Sequence, residues 1–341
     1  MTLTRKFKLV LGVTIIILVT TTLLSCIYQS LLTCKWKNTF ACVSDVQLRI
    51  IAIVGNRAMS LKRLLNSLNN ASYFEDNVVL DIWIDRSKDG KVDTQTLEVA
   101  NSFQFLHGTK YIHIQPSHAG VYGQWIYTWN VSDHSPEIAV ILEDDIEVSP
   151  LFYKWLKIVH TKYDNYDNIN GYSLHGRCEN HALIEPRKKY INVPKNNTVF
   201  LYPAFNTWGF SPHTRHWLHF VKWVTLKSND TAFKPSIANI EPTIAYEIAR
   251  SKGTEANNWD FLHLYHAYEH KLFTVFPNIQ GDKGLSVHWM EKGLHYPENT
   301  DKRPSGELLQ DWILKIESLP DSPLYFDFAG RNINPKNYQW P

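Results

Sequence analysis

Between Leu48 and Leu68 the chain passes from an unbroken apolar run, LRIIAIVG, to SLKRLLNSLNN, whose leucines recur at Leu61, Leu64, Leu65 and Leu68. The first run has the branched, continuous character of a strand covered on both faces. The second has the i, i+3, i+4, i+7 spacing of one helical face, with Lys62, Arg63 and Asn66 opposite and Ser60 as its expected N-cap. VVLDIWID predicts a second strand ending at Asp85 and the turn RSKDGK. YIHIQ predicts a third, a helix follows from about Tyr122 to Trp129, and EIAVILEDD predicts a fourth strand. Strand and helix in alternation imply an α/β domain with a mainly parallel sheet. Ligands of such sheets sit at the carboxyl ends of the strands, where Asn56, Asp85 and Glu143 to Asp145 all fall.

The second half is less regular. LFYKWLKIVHTKY predicts a helix, NINGYSLHG a strand or turn, and the stretch from Val199 to Val224 is dense in aromatic residues. A helix is expected to start near Trp259 in WDFLHLYHAYEHKL, and another over ELLQDWILKIESL on the spacing of Leu308, Leu309, Trp312, Ile313 and Ile316. No repeat or polar linker divides the chain, so residues 49–341 are expected to form one domain, nucleotide-binding in character to about residue 150 and aromatic after it.

Ahead of that domain, Arg5, Lys6 and Lys8 precede an uncharged run from Leu9 to Leu32 that is long enough to cross a bilayer. Its length favours an uncleaved anchor, and the basic side should stay cytoplasmic. The expected layout is a tail at 1–8, a transmembrane signal anchor at 9–32, a short stem at 33–48 and a lumenal domain, a single-pass type II topology. Asn-x-Ser/Thr acceptors at Asn70, Asn130, Asn196 and Asn229 agree with a lumenal location. Beyond Cys26 in the span, Cys34, Cys42 and Cys178 are odd in number. An intermolecular bond at Cys34 or Cys42 would make a disulfide-linked homodimer. The net charge of +2, with both signs interspersed, argues against nucleic acid as a partner.

Three consecutive carboxylates after a buried strand, Glu143, Asp144 and Asp145, need more than a helix cap to explain them. Mg²⁺ or Mn²⁺, held by one or two carboxylates and the oxygens of a bound phosphate, would relieve their repulsion. VILEDDIEVSP, together with AIVGNRAMSLKRLLNSL at the domain start, resembles the GT-A fold glycosyltransferases, whose acidic DXD-type motif holds a metal-bound nucleotide sugar. Among them it looks most like the N-acetylglucosaminyltransferase I group and the family 2 enzymes. The resemblance covers roughly Arg49 to His288. It implies a Golgi membrane enzyme that transfers a hexosyl or N-acetylhexosaminyl group from a nucleotide-diphosphate sugar, such as a UDP-sugar, to a glycan or glycoprotein hydroxyl, with inversion.

Carried over by position, the resemblance makes Asp145 the direct metal ligand, with Glu143 and Asp144 toward the nucleotide. Asn56, Arg57 and Asp85 would contact the donor, Asp85 being equally readable as a turn-starting residue. Asp260, in the Trp259-Asp260 pair that opens a helix, would be the catalytic base, and Glu241 the second choice. His288 in LSVHW would be a late metal or phosphate ligand. FNTWGFSP resembles the aromatic segment that lines the sugar site in related enzymes. Two other readings stay open: a non-catalytic lumenal protein binding carbohydrate or Ca²⁺ on the same fold, and a metal-dependent hydrolase, which would need a denser set of His and Asp ligands.

Overall fold

Strand β1 (Leu48–Val54) lies between β2 (Val78–Ile84) and β4 (Ile138–Glu143), parallel to both, so that Ile50 is in register with Leu80 on one side and Val140 on the other. β3 (Gly108–Ile114) adds a parallel edge beside β2. The computed structural model describes residues 46–132, 135–176, 178–182, 190–227, 230, 232–281, 283–293, 296–297, 302–312 and 319–341. The predicted tail and anchor, the stem up to residue 45, Cys26, Cys34, Cys42 and Asn229 lie outside them, while Leu48, placed at the end of the stem, opens β1. Among the described residues no helix is long and apolar enough to cross a membrane.

Helix α1 (Ala58–Asn69) follows β1 and buries Leu61, Leu64, Leu65 and Leu68 completely against the sheet. At about 1.5–3 kcal/mol per buried leucine, this face suffices to fix the helix. Its start differs from expectation. Arg57 occupies the cap position, and Ser60, one turn inside, donates its hydroxyl to Glu291. α2 (Thr94–Ser102) was not foreseen because only Thr96 and Ala100 are buried. Its signal was Asp93, whose side chain accepts the Thr96 N–H at 2.8 Å. α3 (Gly120–Tyr127) begins two residues earlier than predicted. After β4 a tight turn leads into β5 (Ile146–Val148) and α4 (Phe152–Tyr163).

Beyond β4 the sheet becomes mixed. β8 (Phe210–Pro212) pairs antiparallel with β4 and with β6 (Ile169–Ser173). β7 (Val199–Tyr202), β9 (Phe273–Pro277), β14 (Leu324–Phe326) and β15 (Asn332–Ile333) complete a mixed sheet ordered β15-β14-β7-β9-β6-β8-β4-β1-β2-β3. Beyond β4, β6–β9 and β7–β14 are parallel and the other pairs antiparallel. Gly209 enters β8 at φ +100°, where a Cβ would also press on Leu174 at 2.9 Å.

The opposite face of the sheet is covered by α3, α5 (Thr214–Lys227), α6 (Glu241–Ser251) and α7 (Trp259–Glu269). α6 was not expected, although Pro242 in its first turn is a start signal. Two small sheets remain: β10 (Lys283–Gly284) with β13 (Glu307–Leu308), and β11 (Ser286–Met290) between β12 (Arg303–Pro304) and β5. The helix expected over ELLQDWILKIESL does not begin where the pattern placed it. Leu308 pairs with Gly284, the Leu309 N–H goes to the Gly284 carbonyl, and the Leu309 carbonyl accepts from Ser149. Those bonds take the backbone groups that a first helical turn would use. Ile313 and Ile316 lie outside the described residues. The described chain from Val46 onward is one compact unit.

Candidate functional site

The acidic triplet straddles a strand end. Glu143 is the last residue of β4, while Asp144 and Asp145 form the turn into β5. β11 returns alongside: His288 is in register with Ile146, and the Trp289 N–H binds the Asp145 carbonyl at 2.8 Å. The triplet and His288, far along the sequence, are thereby brought to one rim.

Arg57, at the start of α1, closes on the turn from the other side. Its guanidinium pairs with Asp144 and, at 2.8 Å, with Asp145. The Asp144 side chain is only 3% exposed and also accepts the Gly55 N–H at 3.3 Å; that of Asp145 is 18% exposed. Burial opposes the charge on Arg57, but Asp144 and Asp145 outweigh it and hold the guanidinium ionised. Burial, and then the neighbouring Asp145, pushes the Glu143 carboxyl up to about 8, with the Trp125 indole N–H at 3.1 Å opposing. Burial likewise raises Asp144, against the pull of Arg57. The turn thus sets the Arg57 cation against carboxyls whose charge burial disfavours.

These groups line a cavity of about 630 Å³, a size ordinary for a ligand site. Asn56, Arg57, Asp85, Glu143, Asp144 and Asp145 form one wall; Trp208, Asp260, His288 and Tyr296 belong to the others. All eight candidate donor, metal and catalytic residues therefore reach one space. Glu241 does not line it; it begins α6, and its N–H binds the His181 carbonyl. An adjoining cavity of about 520 Å³ shares Gly55, Asn56 and Asp85 and adds the cations Arg86, Lys88 and Lys91.

Asp85 has a second task. Its carboxylate accepts the N–H groups of Ala119 at 2.8 Å and Gly120 at 2.9 Å, so it caps α3 as well as facing the cavity. Gly120 makes that approach at φ +63°. Gln124 is structural: buried, it donates to the carbonyls of Val54 and Trp83 and accepts from Gln115, tying the ends of β1 and β2 together. Asp260 is exposed at the second position of α7, past the cap residue Asn258. Trp259 beside it is buried and stacks on Trp125 at 4.6 Å, and Trp125 in turn binds Glu143. A continuous line of rings thus links the Asp260 side of the cavity to the acidic turn.

His288 stacks on Trp208 at 3.9 Å, and its Nε2 lies 3.0 Å from the Tyr296 hydroxyl. Coordination through Nε2 would displace Tyr296. Tyr296 and Glu179 were missed by sequence reasoning. Both lie in irregular segments, where no periodicity marks a site residue.

A Ser211–His160–Asp164 line occurs elsewhere, with distances of 2.8 and 3.0 Å. It resembles a hydrolytic triad only in spacing. Ser211 is fully buried in β8 and donates its hydroxyl to the Ala139 carbonyl, so no substrate reaches it and the proton is already committed.

No family model matches the chain, and no curated protein matches it in sequence. Among solved structures it is similar to S. aureus TarS residues 1–349, at 11% identity and a TM-score of 0.34, over 53% of this chain and 49% of that one. The complex of that protein with UDP-GlcNAc aligns at 13% identity and a TM-score of 0.30, over 45% and 39%. The complex with UDP gives 14%, 0.30, 45% and 40%. The chain thus spans about half the length of the first of these structures.

Proposed function

We propose that the protein is a glycosyltransferase of GT-A type that moves a sugar from a nucleotide-diphosphate donor, a UDP-sugar in the leading version, to a glycan or glycoprotein hydroxyl. The observation that carries this is the sharing of one cavity by Arg57, the triplet Glu143–Asp145 and the exposed Asp260. Asn56 and Asp85, next to the basic second cavity, suit the nucleoside, and Arg57 suits the diphosphate.

A divalent ion fits the donor set. Asp145 offers a partly exposed carboxylate, with Asp144 and Glu143 beside it in the same cavity lining. That is the hard-oxygen environment in which Mn²⁺ or Mg²⁺ binds through one or two carboxylates and substrate phosphates. Asp145, with His288 as a further ligand, would hold the ion, which when bound supplies neutralising charge to the leaving diphosphate.

The remaining work falls to the chain. Asp260 takes the proton of the acceptor hydroxyl as the acceptor oxygen bonds to the anomeric carbon. The anomeric carbon–phosphate oxygen bond breaks, and the nucleoside diphosphate leaves with the electron pair, held by Arg57. Attack from the side opposite the leaving group inverts the anomeric centre. Trp208, stacked on His288, offers a ring surface to a sugar.

The same proposal includes a type II Golgi membrane enzyme anchored by 9–32. The exposed positions of Asn70, Asn130 and Asn196 support glycan attachment on the lumenal side. Calorimetry on the full chain in detergent, with UDP-sugars in the presence and absence of Mn²⁺, tests the reading. Metal-promoted donor binding followed by sugar transfer is expected. Binding of glycans or Ca²⁺ with no nucleotide binding would replace it with a non-catalytic lumenal binding protein on the same fold.

A further inference from the structure

Away from the cavity, six histidines recur at helical spacing on or next to α5 and α7: His213, just before α5, then His216 and His219 on it; His263 and His266 on α7, then His270 at its C-cap. Three of them converge. One ring nitrogen each of His219, His266 and His270 lies within 4.8 Å of the other two. His219 Nδ1 is 2.8 Å from His266 Nε2, and the His266 and His270 rings stack at 4.3 Å. None of the three lines the cavity described above.

The tautomer of His270 is fixed by its partner. Its Nδ1 lies 2.8 Å from the His266 carbonyl, which only accepts, so Nδ1 carries the hydrogen and the Nε2 lone pair is left for another use. An imidazole N–H held by a carbonyl is also the usual orienting device behind a histidine that binds metal. His266 is fully buried between the other two. His219 and His270 stand at the surface, where an ion can enter and a fourth ligand can be water.

We propose that His219, His266 and His270 bind one divalent transition ion of the Zn²⁺ class, which staples α7 to α5. An all-imidazole set of this kind selects Zn²⁺ or Cu²⁺ over Mg²⁺, Mn²⁺ and Ca²⁺, which prefer oxygen. The spacing His266-x-x-x-His270 places two ligands one turn apart on a single helix, and His219 completes the set from the neighbouring helix. At metal–nitrogen distances of about 2.0–2.1 Å, tetrahedral ligands stand roughly 3.3 Å apart. The 2.8 Å pair must therefore open slightly, which the exposed His219 side chain can do by rotation. The hydrogen shared by that pair moves to the other nitrogen of its own ring, so coordination by the neutral imidazoles needs no net proton release. The staple lies about 9 Å along the helix axis from Asp260, at 1.5 Å per residue. It would hold the helix that carries the proposed base without touching the reaction.

The test uses the full chain in detergent, stripped of metal, and Zn²⁺ alone as the probe. One equivalent of Zn²⁺ is expected to bind and to raise the unfolding temperature. Asp145→Ala is expected to keep that binding, which separates this site from the catalytic one. His219→Ala and His270→Ala, both at exposed positions, are each expected to weaken it at least ten-fold while leaving the metal-free unfolding temperature near wild type. Co²⁺ in place of Zn²⁺ should give a visible absorption band that these two variants lose. Absence of saturable one-equivalent binding, or binding of unchanged affinity in both histidine variants, overturns the proposal.

Discussion

The two faces of the long sheet reach the same burial with different chemistry. On one, β1 turns Leu48, Ile50, Ala52 and Val54 toward the four leucines of α1, with the rings of α4 alongside. On the other, Ile51 and Ile53 meet Trp125, Trp217, Phe220 and Trp259, and His263 and His266 are packed among those rings. The contact between β1 and the leucines of α1 contains no titratable side chain. The aromatic face holds imidazoles that burial keeps neutral: His263 pushed down to about 3, and His216 to about 4 with help from His213 and Arg215. One face supplies a rigid frame; the other makes its packing depend on protonation. The cavity sits at their seam, with Arg57 and the acidic turn from the first side and Asp260 from the second.

The largest expected effect tests that seam. Asp260→Asn should lower kcat roughly 10²- to 10⁴-fold while leaving donor binding intact, whereas Asp145→Ala should lose metal-promoted donor binding itself. Calorimetry with the donor alongside transfer assays separates the two. If both variants lose donor binding alike, the division of labour between the faces is wrong.

Next comes the frame. Leu64→Ala should destabilise the protein by about 2–5 kcal/mol through a cavity under α1, by the same amount at pH 7.5 and pH 5.5 in urea denaturation. The aromatic face should behave otherwise. Its histidines have folded pKa values below those of the unfolded chain, so the unfolded state takes up protons first as pH falls. The stability they provide is complete above about pH 6.5 and declines as pH drops from there toward the folded values. The slope is up to about 1.4 kcal/mol per pH unit for each such group. His263→Leu should flatten that slope in the same titration; an unchanged slope would remove His263 from the account.

The smallest effect belongs to the outer side of α4. Lys157 reaches Asp76 at 2.6 Å but is 41% exposed, so Lys157→Ala should cost no more than about 1 kcal/mol.

The leucine face was legible because its physics is local. Periodicity named the four leucines of α1, and strand ends named Asn56, Asp85 and the triplet. What escaped depended on partners distant in the chain. The run after Glu307 has helical spacing, yet its backbone is taken by Gly284 and Ser149. Ser60 suits a cap, yet Arg57 stands there and Ser60 serves Glu291. The bridging of Asp144 and Asp145 by Arg57, and the entry of Glu179 and Tyr296 into the cavity wall, follow only from three-dimensional packing. His288 was named by resemblance; what the packing adds is its stacking on Trp208 and the β5–β11 pairing that seats it.

That pairing sets a timetable. Asp145 is held by Trp289, which leaves the ribosome roughly 140 residues later, a delay of about 7–30 s at 5–20 residues per second. During synthesis the parallel strands and α1 can assemble while the acidic turn still lacks its second wall. A ribosome stalled before β11 would thus present a formed frame beside an unfinished cavity, whose remaining lining residues arrive only with the chain from β11 onward.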